Sequence, residues 1–355
     1  MSGSLYSVSD KALYDALNQY RVTKSDLREL FLSRGIIISH ETDREILSKN
    51  FSRFTHGYED YELLSRVLGT SSRREKTSVT DITSDIDFEE LEASAYDFCD
   101  SIGQFDANAE VNNIGKGLQL IINYRTIDFN KSEFKQIVNK EAIITVEKNS
   151  GKITVRSPLN DIVDDMKAIF LGLVEKNTKK ELQTEEISLD FTQDPSHRTK
   201  FFTDLIENLN GYDLVDVTDV YVYHPNHEPD KEEEEEEDVV PGVHISKATL
   251  KGVGVLQSSE LKSLYKRGFY IWKIIWQCKN SEYHESDLYE FEAQFADPDT
   301  CTRFSYLLRG FYKYKAQNEY NKSKTQLSTL DEFKFNPIIE ASAKQTIDTI
   351  IGTII

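Results

Sequence analysis

Three carboxylates and an amide fall between positions 287 and 294: Asp287, Glu290, Glu292 and Gln294. In an extended segment successive side chains alternate between faces, so Glu290, Glu292 and Gln294 share one side. Divalent-metal nucleases use carboxylates placed this way on neighbouring strands to hold Mg²⁺ and activate water. Gln294 stands where such a site wants a lysine, and Lys273 on the preceding apolar segment is its substitute. Asp287, Glu290, Glu292 and Lys273 are therefore the catalytic candidates. The plainer reading is a solvated sheet face, because alternation alone places polar residues there. It predicts that Glu290 and Glu292 are exposed and non-catalytic.

Other residues invite weaker readings. His197, Arg198 and Lys200 follow Asp194 and Pro195 at a helix start, where cations could assist phosphate binding. His224 and His227 flank Pro225 beside an acidic run, and a loose loop makes a poor metal cage. The Lys251–Val255 stretch has two glycines without the spacing of a phosphate loop. Cys99, Cys278 and Cys301 lie far apart with no CxxC pair, which argues against structural zinc and against a disulfide framework. Arg303, Arg309, Lys313 and Lys315 alternate with Phe304, Tyr306, Phe311, Tyr312 and Tyr314, a pattern able to stack bases and touch phosphates. Any half-buried strand gives the same alternation.

The elements that must position these residues are strands. Phe269–Lys279, Leu288–Phe295 and Arg303–Lys315 are rich in aromatic and β-branched residues and predict an antiparallel meander. The first is apolar on both faces, which places it centrally and buries Trp272. Ahead of it, residues 85–229 read as an α+β unit. Its helices are expected at 86–102, 161–176 and 195–209. Its strands are expected at 118–124, 142–147, 152–156, 187–191 and 214–223, with Asn149–Ser150–Gly151 as a hairpin turn. Residues 1–70 read as four short helices, with Tyr20 and Ile46 on buried faces and Ile36–Ile38 as a buried connection. Residues 71–84 read as a polar linker and residues 230–242 as a mobile acidic insertion. Residues 243–355 form the antiparallel-sheet domain, and Pro337 starts its terminal helix.

Length and charge bound the class. A chain of 355 residues implies two or three domains. The net charge of -19 repels nucleic acid and anionic lipid on average. It is unevenly spread: residues 21–76 hold 11 Lys or Arg against 9 Asp or Glu, whereas residues 77–355 carry -20. No run of about 18 apolar residues exists, so no membrane span is expected. The start has no basic region followed by an apolar one, so no secretory signal is expected and the expected compartment is cytoplasmic.

The stretch KSDLRELFLSRGIIISHETDREILSKNF resembles the SAP and helix-extension-helix nucleic-acid-binding families, with Leu27, Leu30 and the Arg34–Gly35–Ile36 turn fitting best. It spans roughly a tenth of the chain, and His40 and Glu41 stand where SAP domains usually carry a Gly-Lys or Ser-Lys pair. The resemblance implies nucleic-acid contact through Arg44, Lys49 and Arg53, extended by the linker residues Arg73, Arg74 and Lys76. In general style the chain also resembles uncharacterised bacterial proteins encoded beside phage-defence genes.

The expectation is thus an α+β protein acting as a non-catalytic binding or scaffolding subunit of an intracellular nucleic-acid-related assembly, with phage defence as the setting the likeness implies. It would need no cofactor, would have a protein partner or form a homo-oligomer, would touch nucleic acid weakly and would avoid membranes. The competing classes are a metal-dependent nuclease centred on 287–294 and a protein-interaction adaptor without nucleic-acid contact.

Overall fold

The computed structural model describes residues 9–20, 22–57, 61, 64, 74–105, 107–115, 117–131, 133–149, 151–225, 245–317 and 319–354. In chain order these form α1 (Asp10–Leu17), α2 (Lys24–Ser33), α3 (Arg44–Ser52), β1 (Thr77–Ile82), α4 (Phe88–Ser101), β2 (Asn108–Asn113), β3 (Gly117–Ile127), β4 (Ile137–Asn149) and β5 (Lys152–Pro158). Then follow α5 (Asp161–Thr178), β6 (Thr184–Glu186), α6 (Pro195–Glu207), β7 (Tyr212–Tyr223), β8 (Lys247–Lys251), α7 (Ser259–Lys266) and β9 (Tyr270–Asn280). The chain closes with β10 (Leu288–Asp297), β11 (Thr302–Tyr312), the small pair β12 (Tyr314–Ala316) and β13 (Glu319–Tyr320), and α8 (Thr329–Ile354). The class is α+β. No helix among the described residues is long and apolar enough to cross a membrane.

The chain divides into two compact units. The first takes Met1–Arg74, Tyr96–Val111 and Ile121–Ala142. Ser9 caps α1 by accepting the Ala12 N–H, and Thr23 and Asp26 form a reciprocal capping box on α2. Leu13, Leu17, Leu27, Leu30, Phe31, Leu47 and Phe51 fill the core between the helices. Residues 36–39 connect α2 and α3 without regular secondary structure. Three expectations fail: Tyr20, Ile37 and Ile46 are 84%, 88% and 50% exposed. Tyr20 and Ile37 lie beyond the helix ends, and Ile46 falls on the outer face of α3. Of the helix expected at 58–68 only Tyr61 and Leu64 are described, and both are buried.

The second unit takes Glu75–Ala95, Asn112–Leu120 and Ile143–Ile355. Its sheet runs β5-β1-β11-β10-β9-β7-β8 with antiparallel neighbours, and β6 also pairs with β1. Two expected boundaries are corrected. Residues 77–82 of the supposed linker are β1, an interior strand held between β5 and β11. Its sequence, TSVTDI, looks like a linker because its polar groups find partners only across the sheet, such as Ser78 Oγ with Ser157 Oγ at 3.0 Å. The middle and C-terminal segments are also not separate sheets, since β7 pairs with β9 along most of its length. The acidic stretch at 230–242 lies outside the described residues.

One face of this sheet carries the main core. Phe201, Phe202, Leu205 and Ile206 of α6 and Phe335, Ile339 and Ala343 of α8 pack on Ile274, Trp276, Phe291, Phe295, Phe304 and Tyr306. Pro337 lies inside α8 and does not start it. The strand expected at 187–191 is displaced to Thr184–Glu186, while Ile187 and Leu189 are core residues of the loop that follows.

Two bulges set which side chains face the core. In β9 the pairing to β7 shifts between Tyr221 and Val222, opposite Lys273 and Ile271, so Trp272 is the extra residue. Ile271, opposite Val222, and Ile274, Trp276 and Cys278 face the core, and Trp272 sits half-buried against Tyr221, ring centroids 6.1 Å apart. The buried tryptophan is therefore Trp276, not Trp272. Trp276→Ala should lower stability by about 3–5 kcal/mol through lost apolar transfer and a residual cavity. Trp272→Ala should cost clearly less, and denaturant unfolding of the two variants checks the order.

Candidate functional site

The second bulge lies in β11. Glu290 opposes Gly310 and Phe291 opposes Leu308, which leaves Arg309 as the unpaired residue. Without that shift Arg309 and Phe311 would share a face. With it, Phe311 packs against the core while Arg309 joins Glu290 and Glu292 on the opposite side. Gly310 is required here because its φ is +129° and a Cβ would meet the Thr325 carbonyl at 2.4 Å. The same approach, closed by reciprocal backbone bonds between Phe311 and Thr325, brings Lys324 onto Glu290.

The resulting cluster joins four cations to two carboxylates. Glu292, with a side chain 1% exposed, takes Lys273 at 2.7 Å, Lys76 at 2.9 Å and Arg309 Nη1 at 2.5 Å. Glu290 takes Arg309 Nε at 2.8 Å and Lys324, and accepts longer bonds from the Tyr312 hydroxyl at 3.3 Å and Gln277 at 3.4 Å. Lys76 also donates to Gln294 Oε1 at 2.6 Å. Lys273 lies 4.6 Å from the Tyr221 ring centroid and Lys324 5.5 Å from that of Tyr312. Burial pushes the Glu292 carboxyl up, but Lys273 and Lys76 outweigh it and hold the group at about 2. Burial likewise works against the Arg309 charge, and the two glutamates more than restore it, raising its pKa.

This overturns the exposure expected for Glu290 and Glu292. Alternation places them on the side away from the aromatic core, as the sequence implies. The charged ends of Lys76, Lys273, Arg309 and Lys324 then close over them and take them out of water. Of the catalytic candidates, Lys273, Glu290 and Glu292 come together. Asp287 does not join them: it accepts the Tyr314 N–H at 2.8 Å and holds the chain leaving β11. Lys324 went unrecognised in the sequence, where the one hint is a glycine inside an apolar strand.

The nucleic-acid candidates scatter. Arg44 donates to the Leu17 and Gln19 carbonyls, ending α1, whereas Lys49 and Arg53 are exposed on and just after α3. Arg74 is exposed, Lys76 belongs to the cluster above, and Arg73 lies outside the described residues.

The remaining sequence candidates are structural. Arg198 is 1% exposed and turns inward, donating to Thr192 O, Gln193 Oε1, Tyr270 OH and Asp299 O. His197 meets the Thr192 hydroxyl and Lys200 pairs with Asp204, so the entrance of α6 is an anchor and not a phosphate cradle. His224 packs on Phe269, and His227 lies outside the described residues. Cys301 is buried, and burial pushes its thiol up to about 12, far from nucleophilic.

A second buried network was not legible in the sequence. Arg156 clamps Glu340 through Nε at 2.6 Å and Nη2 at 2.9 Å, reaches Glu147 at 2.5 Å, and shares Glu340 with the Tyr306 hydroxyl at 2.6 Å. Asp81 takes Lys152 at 2.9 Å and Lys344 at 2.5 Å. Both pin α8 to the sheet. No family model matches this chain, and no curated protein matches it.

Three outcomes follow. Glu292 has a depressed folded pKa, so its stabilisation is present above the ordinary carboxylate range and is lost as pH falls through about 2. Stability of the wild-type chain should fall between about pH 4.5 and 2, and Glu292→Gln should flatten that fall in chemical denaturation at stepped pH. At pH 7, Glu292→Ala should cost about 3 kcal/mol, because the cations left behind lose their buried partner while their ends still reach water. Gly310→Ala should destabilise by roughly 1–3 kcal/mol, since an L residue is strained at that backbone angle. A crystal structure or crosslinking of the variant should show Lys324 drawn away from Glu290.

Proposed function

We propose that the protein is a non-catalytic binding or scaffolding subunit of a nucleic-acid-related assembly, and that the β9–β11 face is one surface through which it meets an anionic strand. The observation that carries this reading is the stoichiometry of the cluster. Four cations surround two carboxylates, so a local surplus of two positive charges stands in a chain of net charge -19. Arg309 spends Nε and Nη1 on the glutamates and is 32% exposed, so its remaining N–H groups can reach a phosphate. Tyr221 and Tyr312 sit beside the cluster's Lys273 and Lys324, and Trp272, beside Lys247, packs against Tyr221. Such rings can stack unpaired bases.

The nuclease alternative asks Glu290 and Glu292 to bind Mg²⁺. A divalent ion would have to displace several ammonium and guanidinium groups and then sit among them, against their charge. The carboxylates hold the basic side chains in place instead. The exposed Lys49 and Arg53 of the first unit add a second basic patch, in keeping with the SAP-like resemblance of that segment.

The test uses the full chain with fluorescent single-stranded DNA, RNA and duplex DNA over a range of salt. Weak binding is expected, with log affinity falling against log salt at a slope of about -2 to -4, as a few neutralised phosphates require. Arg309→Gln should weaken it. With Mg²⁺ or Mn²⁺ no cleavage is expected. Metal-dependent cleavage that vanishes in Glu290→Gln/Glu292→Gln would establish the nuclease instead, and no binding at low salt would leave the protein-only adaptor.

A further inference from the structure

A cavity of about 230 Å³ is lined by none of the residues of the Glu290–Glu292 cluster. β1 and its neighbours supply Ser78 and Val79, the start of β11 supplies Arg303 and Phe304, α5 supplies Asp164 and Lys167, and Leu159, Glu186 and Ile187 complete the wall. All belong to the second unit.

Its two cations hold donors that the described protein does not use. The Lys167 side chain is only 13% exposed, yet its Nζ has one hydrogen-bond acceptor, the Thr80 hydroxyl at 3.3 Å, and its nearest carboxylate oxygen, on Glu186, is 3.8 Å away. An ammonium carries three donors. Arg303 directs Nη2 alone to Asp161 at 3.0 Å and Asp164 at 2.7 Å, and its Nε and Nη1 have no protein acceptor among the described residues. Both carboxylates are tied within the protein, Asp164 by Arg303 and Glu186 by the Thr80 hydroxyl at 3.0 Å. The unused donors of Lys167 and Arg303 call for an acceptor from outside.

The backbone points the same way. Arg303 has φ +57°, a left-handed conformation that a non-glycine residue rarely adopts, and Cys301 two positions earlier has φ +53°. Such strain persists where surrounding structure imposes it, often at ligand sites. Val79, Leu159, Ile187 and Phe304 form apolar wall, which strengthens charge–charge attraction inside. At about 30 Å³ per water, the space equals roughly seven waters, enough for a phosphate group or a short carboxylate with a small apolar tail.

We infer that this cavity binds a small oxyanion, a phosphate or carboxylate compound, between Lys167 and Arg303. Isothermal titration of the full chain with inorganic phosphate, and separately with succinate, tests it. One of the two should bind saturably at one site below about 10 mM. Lys167→Met and Arg303→Gln should each weaken it at least about tenfold, the loss expected when one charge-assisted contact goes. Arg309→Gln, in the other cluster, should leave it unchanged. A measurement on the wild-type chain avoids any folding defect: under limited acetylation read by mass spectrometry, the bound anion should protect Lys167 and leave the exposed Lys262 reactive. Absence of saturable binding and of protection for both anions overturns the inference, as does binding that survives both substitutions. Displacement of the anion by single-stranded DNA at matched ionic strength would assign the site to a nucleic-acid backbone and overturn the small-ligand assignment. Failure of the strand to displace it supports that assignment, whatever the strand does at the β9–β11 face.

Discussion

A buried carboxylate on a central strand constrains everything around it. Glu292 sits on β10 with its side chain shut off from water, so its charge must be met within the fold. Lys273 comes from β9, Arg309 from β11 and Lys76 from the segment leading into β1. Four separate stretches of chain are thereby held in one register. A slip of any strand by one residue would turn its charged group to the other face and strand Glu292 without a partner. The β11 bulge is the device that makes this compatible with the core, since it sends Arg309 one way and Phe311 the other.

The opposite face repeats the logic with a helix. Glu340 enters the sheet from α8 and is met by Arg156 and Tyr306, while Lys344 one turn later meets Asp81. Apolar packing by Phe335, Ile339 and Ala343 supplies the area, but aliphatic contacts alone tolerate sliding. Two ion pairs spaced by one helical turn fix the position of α8 along its axis. Replacing such groups by well-fitted apolar ones is often neutral or better for stability, so their contribution here is to geometry more than to free energy.

These arrangements bear on function through the state of the acids. An enzyme that handles a metal keeps carboxylate oxygens free to ligate. Here Glu290 and Glu292 are spent on fixing basic side chains, among which Arg309 keeps part of its guanidinium unspent. The same accounting, applied to Lys167 and Arg303, singles out a cavity in which two cations keep unused donors.

The sequence by itself determined much of the element list. The hairpin at 149–151, the helices α4, α5 and α6, and the meander of β9, β10 and β11 are all local patterns, because period and turn chemistry act over a few residues. It also determined that Glu290 and Glu292 share a face opposite Phe291 and Phe295. It left β1 hidden, since TSVTDI has little apolar signal and is a strand only because β5, β6 and β11 complete its hydrogen bonds. It misplaced the buried tryptophan, because a bulge is set by two strands together and shifts the parity of one. Exposure of the acids was the largest reversal. Alternation gives direction, but whether a side chain pointing that way meets water depends on Lys76 and Lys324, distant in sequence and delivered only when the tertiary fold closes.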